Sequence, residues 1–301
     1  MLDIDKRYSD LPWLGPARSR LAQQLNTDRL PHALLIHGLA GVGRRELALW
    51  LVEQVLGARP ATLSGGESGA ARQQADLLLL QPPDGKFVIP VDSVRLSLTP
   101  FLGLTSHGSG RRVALIFPAE ALARSAANAL LKTLEEPPPG CLIILLAERP
   151  GQVPPTVLSR CQQLHIPPPS RPVAVNWLAE QCPGKDFSAL LSLCGNAPLA
   201  ALALEASGAA SFANELMAGL QRLENRQVDP LSVAGAAAKQ PELALDLLEW
   251  RLCERIRAGL QAGSGATADW FRKLDQIREL RRVINGGIKP ELSLAGLLLD
   301  W

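Results

Sequence analysis

Short runs of apolar residues alternate with helical patterns through the first half of the chain. Three of these runs, Ala33–His37, 113–117 and 142–146, have the length of strands and are too short for ordinary helices. Their positions are almost all apolar, without alternation between apolar and polar residues. Such a strand is buried on both faces, which is typical of a parallel sheet covered by helices. Residues 1–166 therefore predict an α/β domain.

The clearest helix of this half is predicted at 119–136. Its apolar stripe follows the i, i+3, i+4, i+7 spacing and consists of Ala127, Leu130, Leu131 and Leu134. The sequence Pro-Pro-Pro-Gly at 137–140 cannot continue a helix, so we expect the helix to end there.

Strand patterns are absent from the second half of the chain. A proline cluster at 167–172 predicts a linker, and 173–207 predict a few short helices. Their core candidates are Trp177, Leu178, Leu190 and Leu191. Gly-Ala-Ala-Ser at 208–211 marks a second boundary, and 208–301 predict a helical bundle. Its two main apolar stripes are Leu245, Leu248, Leu252, Ile256 and Leu260 in one helix and Phe271, Leu274, Ile277 and Ile284 in the next.

A glycine-rich loop follows the first predicted strand and precedes a helical segment. Strand, loop and helix are the context that the phosphate-binding motif GxxxxGK[ST] requires. The candidate phosphate-binding residues of this loop are Gly38, Gly41, Gly43, Arg44 and Arg45.

The two arginines depart from the motif. Arg44 stands where the motif has the lysine that reaches the phosphates, and a guanidinium does not replace an ammonium there. Arg45 stands where a hydroxyl would bind Mg²⁺, and its side chain has no oxygen. We therefore expect no hydrolysis. Two interpretations stay open: weak nucleotide binding through backbone N–H groups, and glycines that serve only a tight turn.

Composition narrows the class of protein. The chain has 301 residues, 47% of them apolar, and a formal net charge of +2. This charge is too small to predict nucleic-acid binding, and Lys86, Arg111 and Arg112 are scattered rather than clustered. The apolar runs stay far below the about 20 residues that a membrane helix needs. We expect a cytoplasmic protein without membrane contact.

Two further motifs resemble one protein family. Residues 128–138 read Asn-Ala-Leu-Leu-Lys-Thr-Leu-Glu-Glu-Pro-Pro, and 158–161 read Leu-Ser-Arg-Cys. Together with the glycine loop, they resemble the bacterial replicative clamp-loader subunits of the AAA+ class, above all the delta-prime subunits of DNA polymerase III. The resemblance implies an AAA+ P-loop module at 1–166, a small helical lid at 167–207 and an all-α collar for oligomerisation at 208–301.

The same resemblance implies that the catalytic positions are lost. Active members carry an Asp-Glu pair at the end of the second core strand, where this chain has Phe117 and Pro118. Glu120 lies nearby; a charge at a helix start is the simpler interpretation, and a rescue of metal binding is the alternative. The sensor segment 146–150 has neither hydroxyl nor amide, and the lid lacks an arginine after 195–200.

Arg160 is the one motif residue whose implied role is intact. In the family, the arginine of the Ser-Arg-Cys motif, here Ser159, Arg160 and Cys161, projects into the ATP site of the neighbouring subunit. There it acts as a trans arginine finger on the γ-phosphate. A surface salt bridge is the alternative. Cys161 is interpreted as a small buried residue rather than a nucleophile.

We expect no cofactor and no zinc. Family members often carry four cysteines of a structural zinc module after the first helix, where this chain has the Gly-, Ser- and Ala-rich segment 63–71. This segment lies within 57–75, which predicts a flexible loop or a decayed insertion. The cysteines that the chain does have lack metal-binding spacing: Cys141, Cys161, Cys182, Cys194 and Cys253.

The resemblance implies a non-ATPase stator within a DNA polymerase III clamp loader, a component of a DNA-directed DNA polymerase holoenzyme. Its partners are expected to be gamma- or tau-type ATPase subunits and a delta-type subunit, with the sliding clamp and primed DNA reached through the complex. Two alternatives differ in class. A divergent P-loop ATPase would use Arg44 in place of lysine, and a free-standing nucleic-acid-binding AAA+ protein is disfavoured by the small net charge.

Overall fold

A computed structural model of the chain describes residues 11–57, 71–74, 76–83, 86–106, 108, 110–261, 267–283, 290–299 and 301. Most of the loop predicted at 57–75, including nearly all of the segment at the zinc-module position, lies outside these residues, as does Ile284 of the predicted stripe.

Six strands of the first half form one sheet in the order β2-β3-β4-β5-β1-β6. The strands are β1 (Ala33–His37), β2 (Ala71–Gln74), β3 (Leu77–Leu80), β4 (Arg112–Ile116), β5 (Cys141–Ala147) and β6 (Gln162–His165). Only β2 is antiparallel to its neighbour, and the other five strands run parallel. This sheet confirms the predicted α/β module.

The central strands are apolar because helices cover both faces of the sheet. Every residue of β3, β4 and β5 is buried, including the seven of Cys-Leu-Ile-Ile-Leu-Leu-Ala in β5. The helices of this half are α1 (Gly15–Asn26), α2 (Arg44–Leu56), α3 (Thr99–Gly103), α4 (Arg124–Glu135) and α5 (Pro155–Leu158). A π-helical segment, Ser93–Leu98, precedes α3.

The second half is helical throughout its described part, as predicted. Its helices are α6 (Arg171–Gln181), α7 (Ser188–Leu193), α8 (Pro198–Ala206), α9 (Ala209–Glu224), α10 (Pro230–Ala237), α11 (Pro241–Gln261), α12 (Thr267–Val283) and α13 (Pro290–Leu298). Helix α9 contacts α7, α8, α10 and α11, while α13 packs on α10 and α12 on α11. The predicted core residues Trp177, Leu178, Leu190 and Leu191 are all buried.

Contacts divide the chain into two compact units, residues 1–173 and 174–301. The domain boundaries expected at 166/167 and 207/208 stay predictions. None of the described helices is both long enough and apolar enough to cross a membrane.

Two boundary predictions for the first unit were wrong. Residues 71–74 were expected in a loop, but they form β2, because the exposed edge of β3 offers backbone groups for antiparallel pairing. The predicted helix at 119–136 begins only at Arg124. Residues 121–123 instead pair with Ile89, whose N–H donates to Ala121 O at 2.7 Å and whose carbonyl accepts from Ala123 N at 3.0 Å.

Most positions of the apolar stripes are buried. In α4, Ala127, Leu130 and Leu134 are buried as predicted, whereas Leu131 is only partly buried. Leu260 on α11 is 63% exposed and Phe271 on α12 is 48% exposed, contrary to their assignment to the core. Leu260 lies in the last turn of α11, and Phe271 lies near the start of α12.

Candidate functional site

The glycine loop connects the buried strand β1 to the first turn of α2. A Cβ atom at Gly38 would lie 2.4 Å from the carbonyl oxygen of Ile166, so the close approach of the chain after β6 requires glycine. Gly43 has a φ of +94°, and a Cβ there would lie 2.8 Å from Leu11 Cδ1. Both glycines are thus explained by packing alone.

Arg44 is the first residue of α2, and its side chain is buried, with 6% of its surface exposed. Its Nη2 donates to Glu148 Oε1 at 2.8 Å. The Nε and Nη1 atoms are buried without a hydrogen-bond partner among the described residues. The positive charge at the lysine position is therefore directed at a carboxylate of the same chain.

Glu148 follows β5 directly and lies within the predicted sensor segment. Its backbone N–H donates to Glu120 Oε1, and the N–H of Arg149 donates to the same oxygen at 2.6 Å. Glu120 belongs to a short 3₁₀ helix, Ala119–Ala121. It therefore fixes the backbone from which Glu148 reaches Arg44, a role that sequence reasoning missed.

The two positions at which active family members are expected to hold the metal carry no side-chain oxygen in this chain, as predicted from the sequence. Phe117 and Pro118 follow β4, and the N–H of Phe117 donates to Leu80 O at 2.9 Å. The side chains at these positions are the aromatic ring of phenylalanine and the pyrrolidine ring of proline, and neither has an oxygen that could bind Mg²⁺.

Two histidines lie at the same edge of the sheet and were not singled out from the sequence. His37 ends β1 and His165 ends β6, and strand register pairs them with ring centroids 5.1 Å apart. Burial lowers the pKa of His37 below 6.5, and the nearby His165 and Arg44 lower it further. His37 ends a predicted strand, but no strand was predicted at β6, so no sequence signal linked the two histidines.

A nucleotide with Mg²⁺ does not fit this set of residues. The loop offers no hydroxyl or carboxylate for the metal, and the Glu148 carboxylate stands beside the one buried cation that a phosphate would contact. Like charge would repel a phosphate from that position.

Arg160 lies elsewhere in the first unit, between α5 and β6. Its side chain is 34% exposed. Nε donates to Glu135 Oε1 at 2.8 Å, and Nη2 donates to the same oxygen. Nη1 donates to Thr156 O at 3.0 Å and to Ser159 Oγ at 3.3 Å. The predicted arginine is thus accessible and ordered by groups of its own chain.

The other two motif residues have structural positions. Ser159 Oγ donates to Thr156 O at 3.1 Å and so closes the end of α5. Burial raises the pKa of the Cys161 thiol to about 11, which keeps the sulfur protonated and unreactive at neutral pH.

Of the three basic residues considered for DNA contact, Lys86 is exposed, and Arg111 and Arg112 have partners inside the chain. Arg112 is buried, donates from Nε to Leu104 O at 2.9 Å and lies 3.7 Å from Asp76. Arg111 forms an ion pair with Asp28. Neither side chain supports a DNA-binding surface.

Within the described ranges, no group of three or more histidine, cysteine or acidic side chains is placed to hold a metal ion. The absence of zinc stays a prediction.

Comparison with known proteins identifies the family. The family model described as "DNA polymerase III, delta subunit" matches residues 15–170. The DNA polymerase III subunit delta' of Pseudomonas aeruginosa is 35% identical over 73% of this chain and 70% of its own length. The delta' subunit of Yersinia pestis is 32% identical over 96% of this chain and 94% of its own length. The tau/gamma subunit of Haemophilus influenzae is 31% identical over 54% of this chain and 24% of its own length. The chain therefore belongs to the delta-prime subunit family of DNA polymerase III.

Proposed function

We propose that this chain is a non-ATPase subunit of a cytoplasmic DNA polymerase III clamp loader, within the polymerase holoenzyme. It joins gamma- or tau-type ATPase subunits and a delta-type subunit, and it supports ATP-driven loading of the sliding clamp onto primed DNA. Membership in the delta-prime family supports this assignment. This chain is similar to a tau/gamma subunit over 54% of its length. This similarity supports the idea that the two subunits share a domain and that the two copies of it lie side by side in the complex.

The observation that carries the non-ATPase proposal is the ion pair between Arg44 and Glu148. It engages the cation of the glycine loop at 2.8 Å within the chain. The metal-binding positions hold Arg45, Phe117 and Pro118, none of which offers an oxygen ligand in its side chain. Any ATP that drives the complex is therefore bound by the neighbouring subunits.

Arg160 is the residue through which this chain contributes to hydrolysis. Its guanidinium is partly exposed, stands in the Ser-Arg-Cys motif and is fixed by four hydrogen bonds. We propose that it enters the ATP site of the adjacent subunit and stabilises charge on the γ-phosphate. Arginine fingers contribute about 10³–10⁵ in rate at the site that they complete.

Arg160→Ala in the complete reconstituted loader tests this proposal. We expect ATP hydrolysis at the neighbouring site to fall by about 10³-fold or more, because the γ-phosphate loses its trans cation. The measurement is DNA- and clamp-stimulated ATP turnover, together with the rate of clamp loading. Assembly of the complex is checked by its mass.

The matched control is Arg20→Ala, which removes an exposed arginine of α1 that lies outside every motif. It should leave turnover unchanged. Unchanged turnover in Arg160→Ala would refute the finger. Hydrolysis by the isolated chain would refute the non-ATPase assignment and restore the divergent P-loop ATPase.

A further inference from the structure

The guanidinium of Arg160 is held by three different residues. Glu135 accepts two of its N–H groups through a single oxygen, at 2.8 Å from Nε. The carbonyl of Thr156 and the hydroxyl of Ser159 accept from Nη1 at 3.0 and 3.3 Å. Arginine has five N–H donors in a planar fork, so this arrangement defines both the position and the plane of the group.

Two of the three partners are local to the motif, and Glu135 is not. Thr156 and Ser159 lie within four residues of Arg160, whereas Glu135 precedes it by 25 positions. Local hydrogen bonds hold one edge of the guanidinium against the end of α5. The carboxylate of Glu135 is the group that fixes Nε and Nη2 and thereby the direction of the side chain.

Glu135 is well placed for this because its own backbone is rigid. It is the last residue of α4, directly after the buried residues Thr133 and Leu134. The N–H of Glu136 donates to Lys132 O at 3.0 Å and closes the final turn. Helix α4 also contacts α5. The carboxylate therefore extends from a fixed point toward the arginine.

Preorganisation of an arginine has a measurable value. If a freely rotating arginine side chain must become ordered at the reacting site, the loss of its rotamer freedom can slow the reaction by up to about 30-fold. An exposed ion pair contributes a factor of less than about five. Glu135 and Arg160 are 50% and 34% exposed, so the pair orients the guanidinium without binding it too tightly to release it to a phosphate.

We propose that Glu135 is a positioning residue for Arg160. It orders the guanidinium before the neighbouring subunit binds ATP, so that the arginine meets the γ-phosphate already aligned. This inference rests on the proposed finger role of Arg160. It goes beyond that role by placing the last residue of α4, within the run Asn-Ala-Leu-Leu-Lys-Thr-Leu-Glu-Glu-Pro-Pro, in control of the finger.

The test compares Glu135→Ala, Glu135→Gln and Arg160→Ala, and the double variant of both alanine changes, in the reconstituted loader. Alanine removes the acceptor and suits the end of a helix, while glutamine keeps an uncharged acceptor at the same reach. We expect Glu135→Ala to lower kcat by about 2- to 5-fold with the KM for ATP unchanged, because the alignment that this exposed pair provides is lost. Glu135→Gln should recover part of this loss.

Glu136→Ala is the matched control. Glu136 is the next residue, is exposed and has no ion pair within the described part of the chain. It should leave kcat unchanged. In the Arg160→Ala background, Glu135→Ala should cause no further loss, because there is no guanidinium left to orient.

Each remaining outcome decides between the two proposals. A large loss in Arg160→Ala with full activity in Glu135→Ala overturns the positioning role and leaves the finger. No loss in Arg160→Ala overturns the finger itself and the positioning role with it. A higher kcat in Glu135→Ala, a change confined to KM, or an equal further loss in the double variant also overturns the positioning role.

Discussion

At the scale of single residues, the charge of Arg44 has more influence than the glycines on what the glycine loop can bind. A guanidinium keeps its charge at every physiological pH and loses hydration when it is buried. Glu148 supplies the opposite charge at 2.8 Å, while Nε and Nη1 lack partners among the described residues. The glycine loop therefore relies on the carboxylate of Glu148 to balance the buried positive charge of Arg44.

Removal of that carboxylate should destabilise the chain. We expect Glu148→Ala to lower the free energy of unfolding by about 1–2 kcal/mol. This lies below the full effect of breaking a buried pair because Glu148 is 43% exposed and screened by water. Urea unfolding of the isolated chain measures it. Adding Arg44→Met should restore most of the stability, and Glu136→Ala should have no effect; a loss that persists without the arginine would contradict this account.

At the scale of elements, the parallel pairing of β1 with β6 brings two titratable rings together. The register aligns His37 with His165 at the carboxyl ends of the strands. Burial is the largest cause that lowers the pKa of His37, and the positive charges of His165 and Arg44 nearby lower it further. The neutral form of His37 is therefore favoured in the folded chain.

This arrangement predicts a loss of stability in mild acid. As pH falls below about 6.5, His37 takes up a proton in the unfolded chain before it does so in the folded chain, which favours unfolding. The stability contribution is complete above that pH and declines toward the lower folded pKa. His37→Gln should flatten this slope, measured as urea midpoints between about pH 7.5 and 5.5. An unchanged slope in the variant would assign the effect to other groups.

The elements also show what sequence can predict. The apolar runs of β1, β4 and β5 located the sheet because burial on both faces leaves an unbroken apolar pattern. Strand β2, Ala-Arg-Gln-Gln, carries no such pattern, since it is paired through its backbone at the edge. The start of α4 was misplaced because residues 121–123 pair with Ile89, a contact without local signal.

The site follows the same division. Arg44 and Arg160 could be predicted from the sequence, because each stands at a fixed place in a short motif. The carboxylates that face them come from positions 104 and 25 residues away, Glu148 and Glu135. Only the fold brings these partners together, so an acid at the end of a strand or helix could not be assigned to either arginine beforehand.

At the scale of the whole molecule, the chain combines an α/β module that lacks side-chain oxygen ligands at positions 45, 117 and 118 with an intact Ser-Arg-Cys motif. In our proposal, it depends on a neighbour for nucleotide and offers that neighbour a cation. The isolated chain should accordingly be indifferent to ATP.

A thermal unfolding experiment tests that indifference. A ligand that binds only the folded state raises its stability by RT ln(1 + [L]/Kd). We expect the Tm of the isolated chain to be the same with and without millimolar ATP and Mg²⁺. The gamma- or tau-type subunit, measured in parallel, should show a rise. A rise in Tm for this chain would establish that the glycine loop still binds nucleotide.

The pairing of Arg44 with Glu148 also bears on how readily such a subunit could regain hydrolysis. Arg44→Lys alone would place a lysine beside the same carboxylate, still without a hydroxyl at position 45 or an acid at positions 117 and 118. In our proposal, hydrolysis would therefore return only if several positions changed together, so the loss of the catalytic centre would be hard to reverse in evolution.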